Sequence, residues 1–395
     1  MANTLNLGNG NWATKEDSLL AYNSENNNYK PLPFSFSRES SATRVNKDGL
    51  IETVGSGQAR IDYKDNSKGA LLLEPTRSNY ILKSDDVLST YQSQNGDVSD
   101  ASEPINGFNN SIQIEYDASN SLVYKRDFTP TIGTEYTIYL FVQMNDNSEP
   151  IHTVDANSGD FSLINNNSVA SASDIKTERL GSTNVYRVSS TRTATSINNR
   201  FGIIKYSTQS SKGFKVTGFQ LEVGYPTSYI PTQGGVETRL AESCSQTVPS
   251  NIFNSVEGVI YTEISSLSND GTQRRFTFGD ANFSNNIRFT YMSTDNVFEV
   301  NLYNGSDQGK LSFTLTNATK LNKIAYLYSA NDFQLWINGV KVGFVNSGTT
   351  FSSGTIVRIA QGDSSSQRKF YGNIKDLKVY NEKLTEQQLQ ALTTI

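Results

Sequence analysis

Carboxylates are the first residues to test for chemistry here, because the chain holds a single histidine and a single cysteine. A glycoside hydrolase needs two carboxyl groups facing each other across the scissile bond. Glu263, Asp280 and Glu299 are candidates, but nothing in their spacing pairs them, and solvated surface charge is the simpler reading. A Ser-His-Asp triad could use only His152, which sits in Glu149-Pro150-Ile151-His152, a loop-edge context that favours a surface histidine. One His and one Cys leave no zinc spacing, and neither GxSxG nor a phosphate-cradling glycine loop occurs. Cys244 has no intrachain disulfide partner and reads as a small buried or linker residue. No cofactor is expected. Calcium stays open, since loops such as Gly279-Asp280-Ala281-Asn282 offer oxygen ligands without marking a site. The chain is expected not to be an enzyme.

Sugar binding needs an aromatic ring against the apolar face of a pyranose and planar polar groups on its hydroxyls. Strand alternation puts successive side chains on opposite faces and so nominates residues for that task. If Phe333, Leu335 and Ile337 face a core, Trp336 faces away. If Phe298, Val300 and Leu302 face inward, then Asn301 and Tyr303 face outward. Arg288 lies opposite Ile287 and Phe289. In the first half, Tyr139 and Phe141 lie opposite Ile138, Leu140 and Val142. The same six residues would equally suit a subunit interface, because Trp and Tyr are enriched at both kinds of surface. Arg77 and Arg239 are fork-shaped donors, with Glu74 and Glu222 as partners for structural ion pairs.

The elements that must position these residues read as β throughout. Charged residues make up only 18% of the chain, Tyr and Phe number 20 each, and Asn, Gly, Ser and Thr are abundant. Such a composition suits many short strands and polar turns. The net charge of −5 is spread out, and no basic run long enough to track phosphates is present, so no nucleic-acid partner is expected. No stretch reaches the roughly 18 apolar residues of a spanning helix, so no membrane insertion is expected. The N-terminal MANTLNLGNGNW lacks the order of a cleaved secretion signal, so the expectation is synthesis in a cytoplasm without export by that route.

Residues 1–33 are polar and Asn-rich, with a short helix-like stretch around Asp17–Tyr22, and read as a flexible tail or an attachment segment. Residues 34–235 carry a hairpin region, with a turn at Asn46-Lys47-Asp48-Gly49, and then a sandwich. Residues 236–255 read as a linker containing Pro249. From 256 to 395 about ten strands are expected, followed by one short helix with a Thr385/Gln388 capping box and a Leu384/Leu389 staple. The fold class is therefore all-β: tandem antiparallel sandwiches of jelly-roll type, with an N-terminal attachment segment and one short C-terminal helix.

Two resemblances add to this reading. ESSATRVNKDGLIETV, ARIDY, GALLLEPTRSNYILKS and, later, GFQLEVGYPTSYIPT follow the order of a module common in tail and head-fibre proteins of tailed phages. In that family the first segments precede a carbohydrate-binding-like jelly roll, and the last one ends it. EGVIYTEI, FQLWINGVKVG and FYGNIKDLKVYNEKLTEQQLQAL resemble a laminin-G or concanavalin-A-like lectin domain. The resemblance implies a virion structural protein, a head or tail fibre assembled in the host cytoplasm. Its N-terminus would join capsid or tail proteins, its oligomer would be a trimer, and its task would be adhesion to surface polysaccharide. The alternatives are a capsular polysaccharide depolymerase and a purely architectural decoration protein.

Overall fold

The computed structural model describes residues 4–15, 18–23, 28–94, 96–152, 158–248, 252–362 and 368–395. They form an all-β molecule of two antiparallel sandwiches. The first packs a six-stranded sheet on a five-stranded one. Its core includes Ile138, Leu140 and Val142 from the long strand Glu135–Met144, with Val123, Leu163, Ile203 and Leu221. The second packs an eight-stranded sheet on a nine-stranded one around an aromatic-rich core containing Phe276, Phe278, Phe289, Phe298, Tyr326 and Phe333. In both, the apolar member of each alternating pair faces inward, as the period of a strand requires.

The second sandwich holds more than the ten strands between Gly258 and Tyr380. The strand Gly372–Tyr380 has one edge on Gly258–Ser266. Its other edge is covered by two pieces from the far N-terminal end. Leu71–Leu73 pairs with 372–374, and Leu5–Gly8 pairs with 376–379. The strands Ala13–Lys15, Ser18–Asn23 and Asn28–Ser37 pair in sequence order and join the nine-stranded sheet through Ser243–Thr247. Edge backbone that would otherwise template aggregation is thus paired within the chain.

These pairings redraw the expected organisation. The described part of residues 1–33 does not stand apart: Leu5 and Leu7 are buried in the core of the second sandwich, where a segment too poor in apolar residues for its own core finds one. The helix-like reading of Asp17–Tyr22 gives way to the strand Ser18–Asn23, with Asp17 outside the described residues. Residues 236–255 are not a free linker. Glu237–Arg239 pairs with Arg77–Asn79, Ser243–Thr247 joins the sheet, and Cys244, Val248, Ile252 and Phe253 are buried. Pro249 lies outside the described residues. Burial pushes the Cys244 thiol up to about 12, so it stays protonated and inert.

Local signals hold where a short-range cause exists. The hairpin Ala42–Val45 to Ile51–Val54 closes through Gly49 at φ +78°, with Asn46 Oδ1 accepting the N–H groups of Asp48 and Leu50 at 3.0 Å each. A Cβ at Gly49 would lie 2.5 Å from Thr183 Cγ2, so glycine also lets the hairpin dock on the first sandwich. Asn338-Gly339 turns with both φ values positive, as a type I′ hairpin demands. The helix Glu386–Thr393 carries the expected capping box: Thr385 Oγ1 accepts Gln388 N–H, and Gln388 Oε1 accepts Thr385 N–H at 2.8 Å. Leu384, Leu389 and Leu392 dock it on the eight-stranded sheet.

Candidate functional site

The outer face of the nine-stranded sheet brings three of the six nominated residues together. Strands Asn286–Tyr291 and Val297–Tyr303 pair so that Arg288 sits directly opposite Asn301. The Arg288 guanidinium lies 4.5 Å from the centre of the Tyr303 ring, a cation–π contact that holds both half-buried side chains in place. Its Nε donates to Asn286 Oδ1. Asn301 is buried and donates from Nδ2 to Asp307 Oδ1 at 2.8 Å. Lys310 bridges Glu299 at 3.2 Å and Asp307 at 3.7 Å. One row inward, Arg275 Nε donates to Thr290 Oγ1 at 3.1 Å, and the buried hydroxyl of Thr277, opposite Arg288, finds no partner among the described residues. The result is a fixed array of guanidinium, amide, carboxylate, ammonium and phenol groups on a rigid sheet. Such an array suits pairs of adjacent hydroxyls, each of which donates and accepts.

Asp307, Lys310 and Thr290 were not singled out from sequence. A register shift between Val300 and Leu302 changes which residues of the next strand lie opposite, and no local pattern announces a bulge.

The other three nominated residues face away from their cores, as alternation requires, but they are covered. Trp336 is only 5% exposed. It lies under the C-terminal helix with Tyr261, Leu384 and Leu389, and its Nε1 donates to Gln334 Oε1 at 3.1 Å. Tyr139 and Phe141 are buried beneath the 42–54 hairpin and the turn carrying Tyr229, in a cluster with Val45, Leu180 and Val185. None of the three offers a ring to a sugar. Alternation tells which side a residue points to and says nothing of what a distant segment lays over that side.

The carboxylates weighed as catalytic lie apart and are engaged. Glu263, on the eight-stranded sheet, pairs with Lys375 at 2.6 Å, whereas Glu299 is on the outer face of the opposite sheet. Asp280 is taken up by its own turn, accepting N–H groups from Asn282, Ser284 and Asn285. Among the described residues, no three His, Cys, Asp or Glu side chains converge as metal ligands would. His152 is half-buried, its ring edge-on to Phe161, and desolvation pulls its pKa below the ordinary value.

Between the sandwiches lies a buried charge hub. Arg239 reaches Glu74 at 2.9 Å, the ion pair expected from sequence, and Arg77 approaches Glu222 at 3.8 Å. The centre of the hub is nevertheless Glu242, which accepts from Arg38 Nη1 (3.0 Å), Arg60 Nε (2.6 Å), Arg60 Nη2 (2.7 Å) and the backbone N–H of Glu74 (2.6 Å). Burial alone would raise Glu74, but Arg239 and Arg60 overcome it and hold the carboxyl at about 2. Glu222 lacks so close a cation, and burial raises its pKa despite hydrogen bonds from Thr227 and Gln220. The hub ties the crossings between sandwiches; it is structural.

Comparison with solved structures finds several distant likenesses. The CBM40 module of the Ruminococcus gnavus IT-sialidase, bound to alpha2,3 sialyllactose, has 16% identity, with 38% of this chain and 92% of that chain covered, at a TM-score of 0.33. Domain 4 of AbnA, a GH43 extracellular arabinanase from Geobacillus stearothermophilus in complex with arabinotriose, has 15% identity over 43% and 82%, at 0.32. Domains LG4-5 of the mouse laminin alpha1 chain have 11% identity over 71% and 90%, at 0.25. No curated protein matches. Residues 246–390 match the family model of the concanavalin A-like lectin/glucanases superfamily, so the second sandwich is similar to carbohydrate-binding domains of lectin type.

Proposed function

We propose that this chain is a non-enzymatic glycan-binding protein of a phage virion, a head or tail fibre that adheres to surface polysaccharide. One observation carries the glycan reading: Arg288 and Tyr303 form a pre-organised, half-exposed pair on the lectin-like sandwich, an aromatic ring beside a planar donor, with the buried Asn301 fixing Asp307 next to them. The virion assignment is supported by the order of fibre-like motifs over residues 38–82 and 214–239, and trimeric assembly follows from the same resemblance. Weak contacts repeated in an oligomer give avidity without a deep pocket. The test is a glycan array probed with multivalent wild-type, Arg288→Ala and Tyr303→Ala proteins. Adhesion predicts signal for wild type and its loss in both variants. Absence of any signal at multivalent density supports the architectural alternative, and release of reducing ends from capsule supports a depolymerase.

A further inference from the structure

A second polar site lies away from the outer sheet face. A cleft of about 790 Å³ runs between the two sandwiches, with one wall from the 42–74 region and the first sandwich and the other from the loops around 265–269, 296 and 316–321. Its volume falls within the roughly 300–1,000 Å³ typical of small-molecule sites.

The hydrogen-bond arithmetic of this cleft leans towards donors. Four asparagines on it use their side-chain oxygen internally. Asn66 accepts Lys68 N–H, Asn269 accepts Asn296 N–H, Asn296 accepts Ala318 N–H, and Asn317 accepts both N–H and Oγ1–H of Thr319. Each oxygen fixes the amide plane, and each NH₂ is left with no partner among the described residues. Lys176 and Lys320 likewise have no ion-pair partner there. The acidic side is consumed. Asp62 accepts the N–H groups of Val45 and Lys64, and Glu178 is held by Arg187 and Lys64. Glu74 belongs to the hub, and Asp65 faces Lys64 at 3.5 Å. The unengaged side-chain groups thus include four oriented amide donors and two ammonium groups, against one open amide oxygen, Asn373 Oδ1, and the two-way hydroxyls of Ser268 and Thr316.

We infer that this cleft binds an acidic oligosaccharide, whose carboxylates and hydroxyl oxygens supply the acceptors that the open donors lack. Two unpaired cations are too few to track a phosphate backbone, which needs one for each neutralised charge. Amide NH₂ groups with fixed planes match carboxylate and hydroxyl oxygens by direction as well as by charge. The choice of a saccharide rests on the glycan reading above; the preference for an anion rests on the cleft alone.

The test is calorimetric titration of the full chain with tetragalacturonate and with its carboxyl-reduced neutral counterpart. The acidic probe is expected to bind at least tenfold more tightly, with affinity falling as salt rises. Asn269→Asp combined with Asn296→Asp keeps both internal acceptor oxygens but turns the open donors into carboxylate oxygens. This variant should keep its melting temperature and lose at least tenfold in affinity for tetragalacturonate. Lys176→Ala with Lys320→Ala should lose a similar factor, while Arg288→Ala should bind as wild type does. Equal binding of the two probes, no binding of tetragalacturonate, or full affinity in the cleft variants would overturn the proposal. Loss confined to Arg288→Ala would do so too, while leaving the sheet-face reading intact.

Discussion

The two sheets of the second sandwich share one core and differ in what lies on their outer faces. On the eight-stranded sheet, Trp336 and Tyr261 are roofed by the helix Glu386–Thr393. On the nine-stranded sheet, Arg288 and Tyr303 are half buried and brace each other. Both faces carry aromatic residues opposite a regular apolar row, so strand chemistry alone makes them equivalent. The difference comes from what the chain lays over them. One face has become a second, smaller core, and the other is kept polar and partly exposed. The first sandwich repeats the roofed pattern, with Tyr139 and Phe141 under the 42–54 hairpin.

This contrast can be broken in stages. The largest effect is expected at the hub that ties the two sandwiches together. Glu242→Ala strands Arg38 and Arg60 in a buried site, and loss of one partner from such a pair costs about 3–5 kcal/mol. Chemical denaturation should show that loss. A change under 1 kcal/mol would mean that water reaches the hub. Trp336→Ala removes a large ring from beneath the helix and should cost about 3 kcal/mol, in the range for buried aromatic truncation. If it instead abolished glycan binding at unchanged stability, the roofed and open faces would have to be exchanged.

Acid should act on the hub in a defined window. The Glu74 carboxyl is depressed to about 2 from its ordinary 4.5. Its contribution to stability is therefore complete above 4.5 and is lost as pH falls towards 2. Melting curves across that interval should be steeper for wild type than for Glu74→Gln; parallel curves would show that Glu74 is not the linked group. The smallest effect is at the roof's edge. Thr385→Ala deletes the cap and should cost about 1 kcal/mol, read as a small drop in melting temperature, with glycan binding unchanged.

Legibility from sequence followed the range of the interactions. Most strands from Gly258 to Tyr380, the Asn338-Gly339 turn and the capping box rest on neighbours within a few residues and stood where the pattern placed them, whereas a strand expected at 355–359 lies at Arg358–Gln361 and one expected at 311–315 starts at Asp307. Leu5–Gly8 could not be placed: four residues with two leucines carry no mark of a partner more than 360 positions away. The ion pair of Arg239 with Glu74 was readable from residue type, whereas Glu242 was not, because its surroundings read as a linker and its partners come from positions 38 and 60. At the candidate site, alternation set the direction of all six nominated residues. Exposure was decided by the helix, the hairpin and the turn at Tyr229, which pack from elsewhere in the chain.

The most direct test of the account is titration of the best glycan from the array against Arg288→Ala, with melting temperature measured on the same sample. At least a tenfold loss of affinity is expected, with stability lowered by only about 1 kcal/mol, as for loss of one half-exposed cation–π contact. Full affinity in the folded variant would contradict it and move the glycan site off the nine-stranded sheet.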